Sequence, residues 1–78
     1  MNAEDAETLF RQVLTSNLGP TEGGLDLATH WADLGDELDL IEFCMAIEKL
    51  YPDVEIPDEH SQTWVTLQDT VNYLEKTL

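Results

Sequence analysis

The apolar positions of this chain fall at helical spacing in three stretches. In the first, from about Ala3 to Asn17, Leu9, Phe10, Val13, Leu14 and then Leu18 line one side. Steps of three and four residues predict an amphipathic helix. Gly19-Pro20 ends it, because Gly suits the position past a helix end and Pro cannot continue the helix. The densest stretch runs from Asp33 to Tyr51, DLGDELDLIEFCMAIEKLY. After a turn at Gly35 it predicts helix two, from about Glu37 to Leu50. Leu38, Ile41, Met45 and Leu50 are expected to face a core, with Asp36, Asp39, Glu42 and Glu48 largely outside that stripe. In the third stretch Thr66 opens the last helix, whose core face is Leu67, Val71 and Leu74.

Residues at the ends of these stretches support the same boundaries. Asp36 is a good N-cap, and Asp39 three residues on makes an acidic form of the capping box. Thr66 and Asp69 repeat that arrangement. Carboxylates in a first turn and Lys76 near the last end both suit the helix dipole. Tyr51-Pro52-Asp53 closes helix two. Val54 and Ile56 form an extended apolar pair before Pro57, and Asp58 to Gln62 has room for one short helical turn.

Thr21 to Gly35 is a long connection containing Gly23-Gly24 and then Leu25, Leu27, Ala28, Trp31 and Leu34. A connection of this length packs on the core or carries function. Leu27, Trp31 and Leu34 are expected to pin it. No strand alternation is sustained and no segment repeats. The prediction is an all-α fold in one domain over residues 1–78: a small helical bundle of three main helices plus one short helix, with a long loop between helices one and two.

Size and charge narrow the function classes. Seventy-eight residues allow one small domain with a thin core, for which 42% hydrophobic residues are adequate. Seventeen Asp and Glu against three Lys and Arg give a net charge of -14. That excess argues against nucleic acid, whose phosphates need cations, and against anionic membranes. It favours a basic protein partner met through long-range attraction, although solubility alone also accounts for acidity. The single cysteine, Cys44, cannot form an internal disulfide, which fits a reducing cytoplasm. No run is long enough to span a bilayer, and no secretory signal is visible. A cytoplasmic monomer is expected.

Candidate chemistry is sparse. Cys44, between Phe43 and Met45, is expected to be a core thiol whose acidic surroundings raise its pKa. His30 and His60 have no second ligand at zinc spacing. The carboxylates lack the order of a calcium loop. There is no phosphate loop and no nucleophile with a base. No metal site and no catalytic residue is predicted, so the chain is not expected to be an enzyme.

The motifs themselves carry a resemblance. Asp33-Leu34-Gly35 is followed by Asp36-Glu37-Leu38-Asp39, then Ile41-Glu42, Met45-Ala46-Ile47-Glu48 and Tyr51. Ile56-Pro57-Asp58-Glu59 and the run from Thr66 through Tyr73-Leu74 complete the set. This pattern resembles the acyl carrier protein family over nearly the whole chain, most closely from Ala28 onward. The resemblance implies the carrier bundle, and acidic positions on helix two that dock onto basic patches of partner enzymes. Here those partner-binding positions are Asp36, Glu37, Asp39, Glu42 and Glu48.

One departure bears on function. In the family a serine between the Asp and the Leu of the motif carries 4'-phosphopantetheine. That place is Glu37 here, and the stretch from Gly35 to it is one residue shorter than usual. A carboxylate there would give an unstable mixed anhydride, so phosphopantetheine is not expected. Neither Ser16, at the end of helix one, nor Ser61, in the short helix, begins helix two. The leading expectation is an acidic interaction module of fatty-acid or polyketide metabolism, bound to a basic patch of an acyl-metabolism enzyme as scaffold or regulator. The alternatives are a working carrier whose serine was substituted, an acidic mimic occupying a basic protein surface, and a small lipid-binding protein using the bundle interior.

Overall fold

The computed structural model describes residues 1–19 and 26–78. Pro20 and the expected loop features Thr21, Gly23-Gly24 and Leu25 lie outside the described residues, as does the side chain of Leu18. Five helices follow one another: α1 (Ala3–Leu18), α2 (Trp31–Leu34), α3 (Glu37–Leu50), α4 (Asp58–Ser61) and α5 (Leu67–Thr77). Helix two of the sequence reading is α3. The three main helices and the short α4 stand where the periodicity puts them, and no strand occurs among the described residues. The additional helix is α2, a single turn inside the long connection. Four residues are too few to show a helical period.

The ends of the helices follow their local chemistry. Asn2 caps α1 by accepting from the Asp5 amide at 2.8 Å. Gly19 takes a positive φ of +86° past its end, open to glycine, and its N–H donates to the Thr15 carbonyl. Both predicted capping boxes are formed, by Asp36 with Asp39 and by Thr66 with Asp69.

The core is built on α1, which packs against both α3 and α5. Leu9, Phe10, Val13 and Leu14 are buried, as are Leu67, Val71 and Leu74 of α5. Phe10, Trp31 and Phe43 meet as three rings with centroids 5.2 to 6.0 Å apart. Contacts of that kind contribute about 0.5–1.5 kcal/mol each beyond burial. Trp31 therefore pins the long connection, with Leu27 and Leu34 half-buried beside it. Its indole N–H also donates to the buried Thr70 hydroxyl at 2.8 Å. Three backbone bonds fasten the same segment to the start of α5: Trp31 to Val65, Leu67 to Thr29 and Gln68 to Leu27. The approach of α2 to α3 is thus held from α5.

Two expectations need correction. Leu38, Ile41, Met45 and Leu50 do not face the core; all four are exposed. The buried side of α3 is Phe43, Cys44 and Ile47, with Leu40 packed beside them. Both stripes satisfy the helical period, so spacing alone does not choose between them. Burying the Leu38 side would also draw in Glu42 and Lys49, four residues from Leu38 and Met45, at the cost of desolvating their charges. The second correction is at Gly35, where the expected turn is absent and the backbone is extended, with φ −171°. Glycine matters there for space, because a β-carbon would collide with the Asp39 carboxylate.

Candidate functional site

The start of α3 is organised by its own carboxylates. The Asp39 amide donates to Asp36 at 3.1 Å, and the Asp36 amide donates to Asp39 at 3.1 Å. These bonds satisfy backbone donors that the first turn leaves open. Of the five acidic positions singled out from the sequence, Asp36 and Asp39 therefore already serve the cap. Glu37, the first residue of α3, is exposed, and so is Glu42. Glu48 is half-buried and accepts from the Ile56 amide at 3.2 Å, tying the α3–α4 connection to α3. The structure thus brings Glu37 and Glu42 to the surface as exposed carboxylates and gives the other three local bonding roles.

Sequence reasoning missed the apolar part of this surface. Leu38 is 60% exposed, Ile41 40% and Met45 62%. At positions i, i+3 and i+7 they form one ridge along α3. Interspersed Glu42 and Lys49 were the available sign that this side faces water.

Beside Glu37 an open cleft of about 380 Å³ lies between α2, α3 and the α4 region, lined by Trp31, Leu40, Trp64 and Ser61 among others. Both tryptophans are buried, as packing residues. Ser61 is buried and its hydroxyl donates to the Asp58 carbonyl at 3.1 Å. Ser16 lies in α1, with its hydroxyl donating to the Gln12 carbonyl. Neither hydroxyl occupies the start of α3.

Cys44 is buried, and its thiol pKa is pushed from the ordinary 9.0 to about 11. Burial is the main cause; the charges of Glu48 and Asp58 add to it, and a hydrogen bond with Ser61 opposes it. This thiol is a core group rather than a nucleophile. At the other capping box, the Thr66 and Val65 amides hold the Asp69 carboxyl below its usual range. No cluster of three possible metal ligands occurs among the described residues. No described helix is long and apolar enough to cross a membrane.

The sequence aligns with curated proteins over a little more than half its length. It is 51% identical over 45 residues to the acyl carrier protein of Campylobacter concisus (strain 13826), covering 56% of this chain and 57% of that one. Over that stretch the chain is similar to acyl carrier proteins. The acyl carrier protein of Bdellovibrio bacteriovorus is 51% identical over 45 residues, 56% of each chain. That of Campylobacter lari is 50% identical over 44 residues, 55% of this chain and 56% of the other. The aligned stretch spans about half the length of the curated relatives it matches. No family model matches the sequence. The all-α bundle agrees with this similarity.

Proposed function

We propose that this chain is an acidic, acyl-carrier-like interaction module of fatty-acid- or polyketide-type metabolism that works without 4'-phosphopantetheine. It is a cytoplasmic binding protein rather than an enzyme, and its partner is an acyl-metabolism enzyme with a basic patch. The observation that carries this reading is Glu37, an exposed carboxylate at the first position of α3. In the resemblance that is the serine's place. A carboxylate attacking one phosphorus of a pyrophosphate breaks the bridging P–O bond, expels the other phosphate and forms an acyl phosphate, which water cleaves, so the residue does not fit the prosthetic group. Glu37 instead leaves a fixed negative charge there, with Glu42 exposed five residues on in the same helix.

Docking through these charges has a defined signature. Exposed ion pairs contribute about 0–1 kcal/mol each, and a set of them acts mainly on association rate. Against a panel of immobilised carrier-dependent acyl enzymes, the protein should bind at least one, and Glu37→Lys with Glu42→Lys should slow association about tenfold or more. Glu4→Lys with Glu75→Lys makes an equal charge change on α1 and α5 and should leave binding nearly intact. Surface plasmon resonance at fixed salt measures both. Equal loss in the two double variants would mean that net charge alone drives binding, as an acidic mimic requires, and would overturn this reading.

A further inference from the structure

The cleft beside Glu37 combines an apolar floor with a rim of one charge sign. Trp31, Leu40 and Trp64 line the floor, and all three pack on the core. Asp36 and Glu37 line the cleft as well, and both are exposed. A smaller pocket adjoins it, sharing Glu37, Leu40, Ser61 and Gln62 and adding the exposed Asp58. None of the chain's three Lys and Arg lines either space. Asp36 uses one carboxylate oxygen to accept from the Asp39 amide. Among the described residues, Glu37 has neither a hydrogen-bond partner nor an ion-pair partner for its carboxylate. Carboxylates accept hydrogen bonds and donate none, so an occupant must bring the donors. At about 380 Å³ the cleft is near the small end of ligand sites, which run from about 300 to 1,000 Å³. The net charge of -14 concentrates cations around the protein and depletes anions.

We propose that this cleft binds a small amphipathic amine, with its ammonium group on Glu37 beside Asp36 and its apolar body on Leu40 and the exposed edges of Trp31 and Trp64. Burial of the body supplies the affinity, and the carboxylate rim selects the charge. A neutral molecule of the same length lacks the ion pair. A carboxylate of the same length meets like charge at the rim. A protein's lysine side chain fits poorly, because it enters ammonium first and would set its charge on the apolar floor. Glu37 thereby has a role of its own, as counter-ion to a small ligand. The proposal goes beyond the interaction-module reading and needs no partner enzyme.

Octylamine, 1-octanol and octanoate differ in the charge of the head group and little in length, and they test the proposal at neutral pH. The chain's two tryptophans, Trp31 and Trp64, both line the cleft, so intrinsic tryptophan emission reports on it directly. Octylammonium should change that emission with a Kd of about 1 mM or below, about three- to fivefold tighter than octanol, and octanoate should bind weakest. Methylammonium, which keeps the charge and lacks the body, should bind at least about tenfold more weakly than octylammonium. Glu37→Gln should erase the advantage of octylammonium over octanol. Glu75→Gln removes the same charge from an exposed position on α5 and should leave that advantage nearly intact. No emission change with octylammonium at about 10 mM, equal affinity for octylammonium and octanol, or equal loss in the Glu37 and Glu75 variants would each overturn the proposal. A failed enzyme panel leaves these titrations unaffected, so the two readings fail separately.

Discussion

Phe43→Ala should strongly destabilise the protein, whereas Met45→Ala, two residues away, should cost little. Phe43 is fully buried and packs its ring against Phe10 and Trp31. Truncating such a residue costs about 3–5 kcal/mol through lost burial and the cavity left behind. A chain of this size has a total stability of about 4–12 kcal/mol. At about 4–8 °C per kcal/mol, the melting temperature should fall by about 12 °C at least. Met45 is 62% exposed, so its truncation should stay within about 0.5 kcal/mol. Thermal melts followed by circular dichroism compare the two. Similar shifts would mean that the buried and outward sides of α3 have been exchanged.

Cys44 should react with iodoacetamide far more slowly in the folded protein than in the urea-unfolded chain. Thiolate is the reactive form, and with the pKa raised to about 11 little of it exists at pH 8. The thiolate fraction drops roughly a hundredfold relative to an ordinary cysteine, before any shielding by burial. Mass-resolved labelling at pH 8 gives the ratio directly. Rates within tenfold of each other would place the thiol at the surface. Stability should follow with a definite sign. The folded state holds this proton more tightly than the unfolded chain, so the contribution of Cys44 is fully present below about pH 9. It is lost as the pH rises through about 11.

Much of the fold was legible because the local signals agree with one another. Asp36 with Asp39 and Thr66 with Asp69 mark two helix starts by residue type and spacing, and both boxes form. The apolar faces of α1 and α5 are unambiguous because each has only one. Along α3 that uniqueness fails: Leu38, Ile41 and Met45 and the set Phe43, Cys44 and Ile47 both keep the helical period. Only tertiary packing against Phe10 and Trp31 decides between them. The Trp31–Thr70 hydrogen bond joins residues 39 apart in the chain, which no local pattern encodes. The exposure of Glu37 and Glu42 was legible in the sequence and that of Leu38, Ile41 and Met45 was not, for the same reason. Glu48 looked like a member of the solvated face, yet it accepts from the Ile56 amide, eight residues on, which only the folded chain brings near.

Intact mass decides whether this chain, as proposed, works without covalent carriage. The protein is incubated with coenzyme A and a broad-specificity phosphopantetheinyl transferase, beside an acyl carrier protein that is modified under the same conditions. The expected mass of this chain is unchanged while the control gains the prosthetic group. A phosphopantetheine-sized mass increase on this chain, at any residue, would overturn the proposed function.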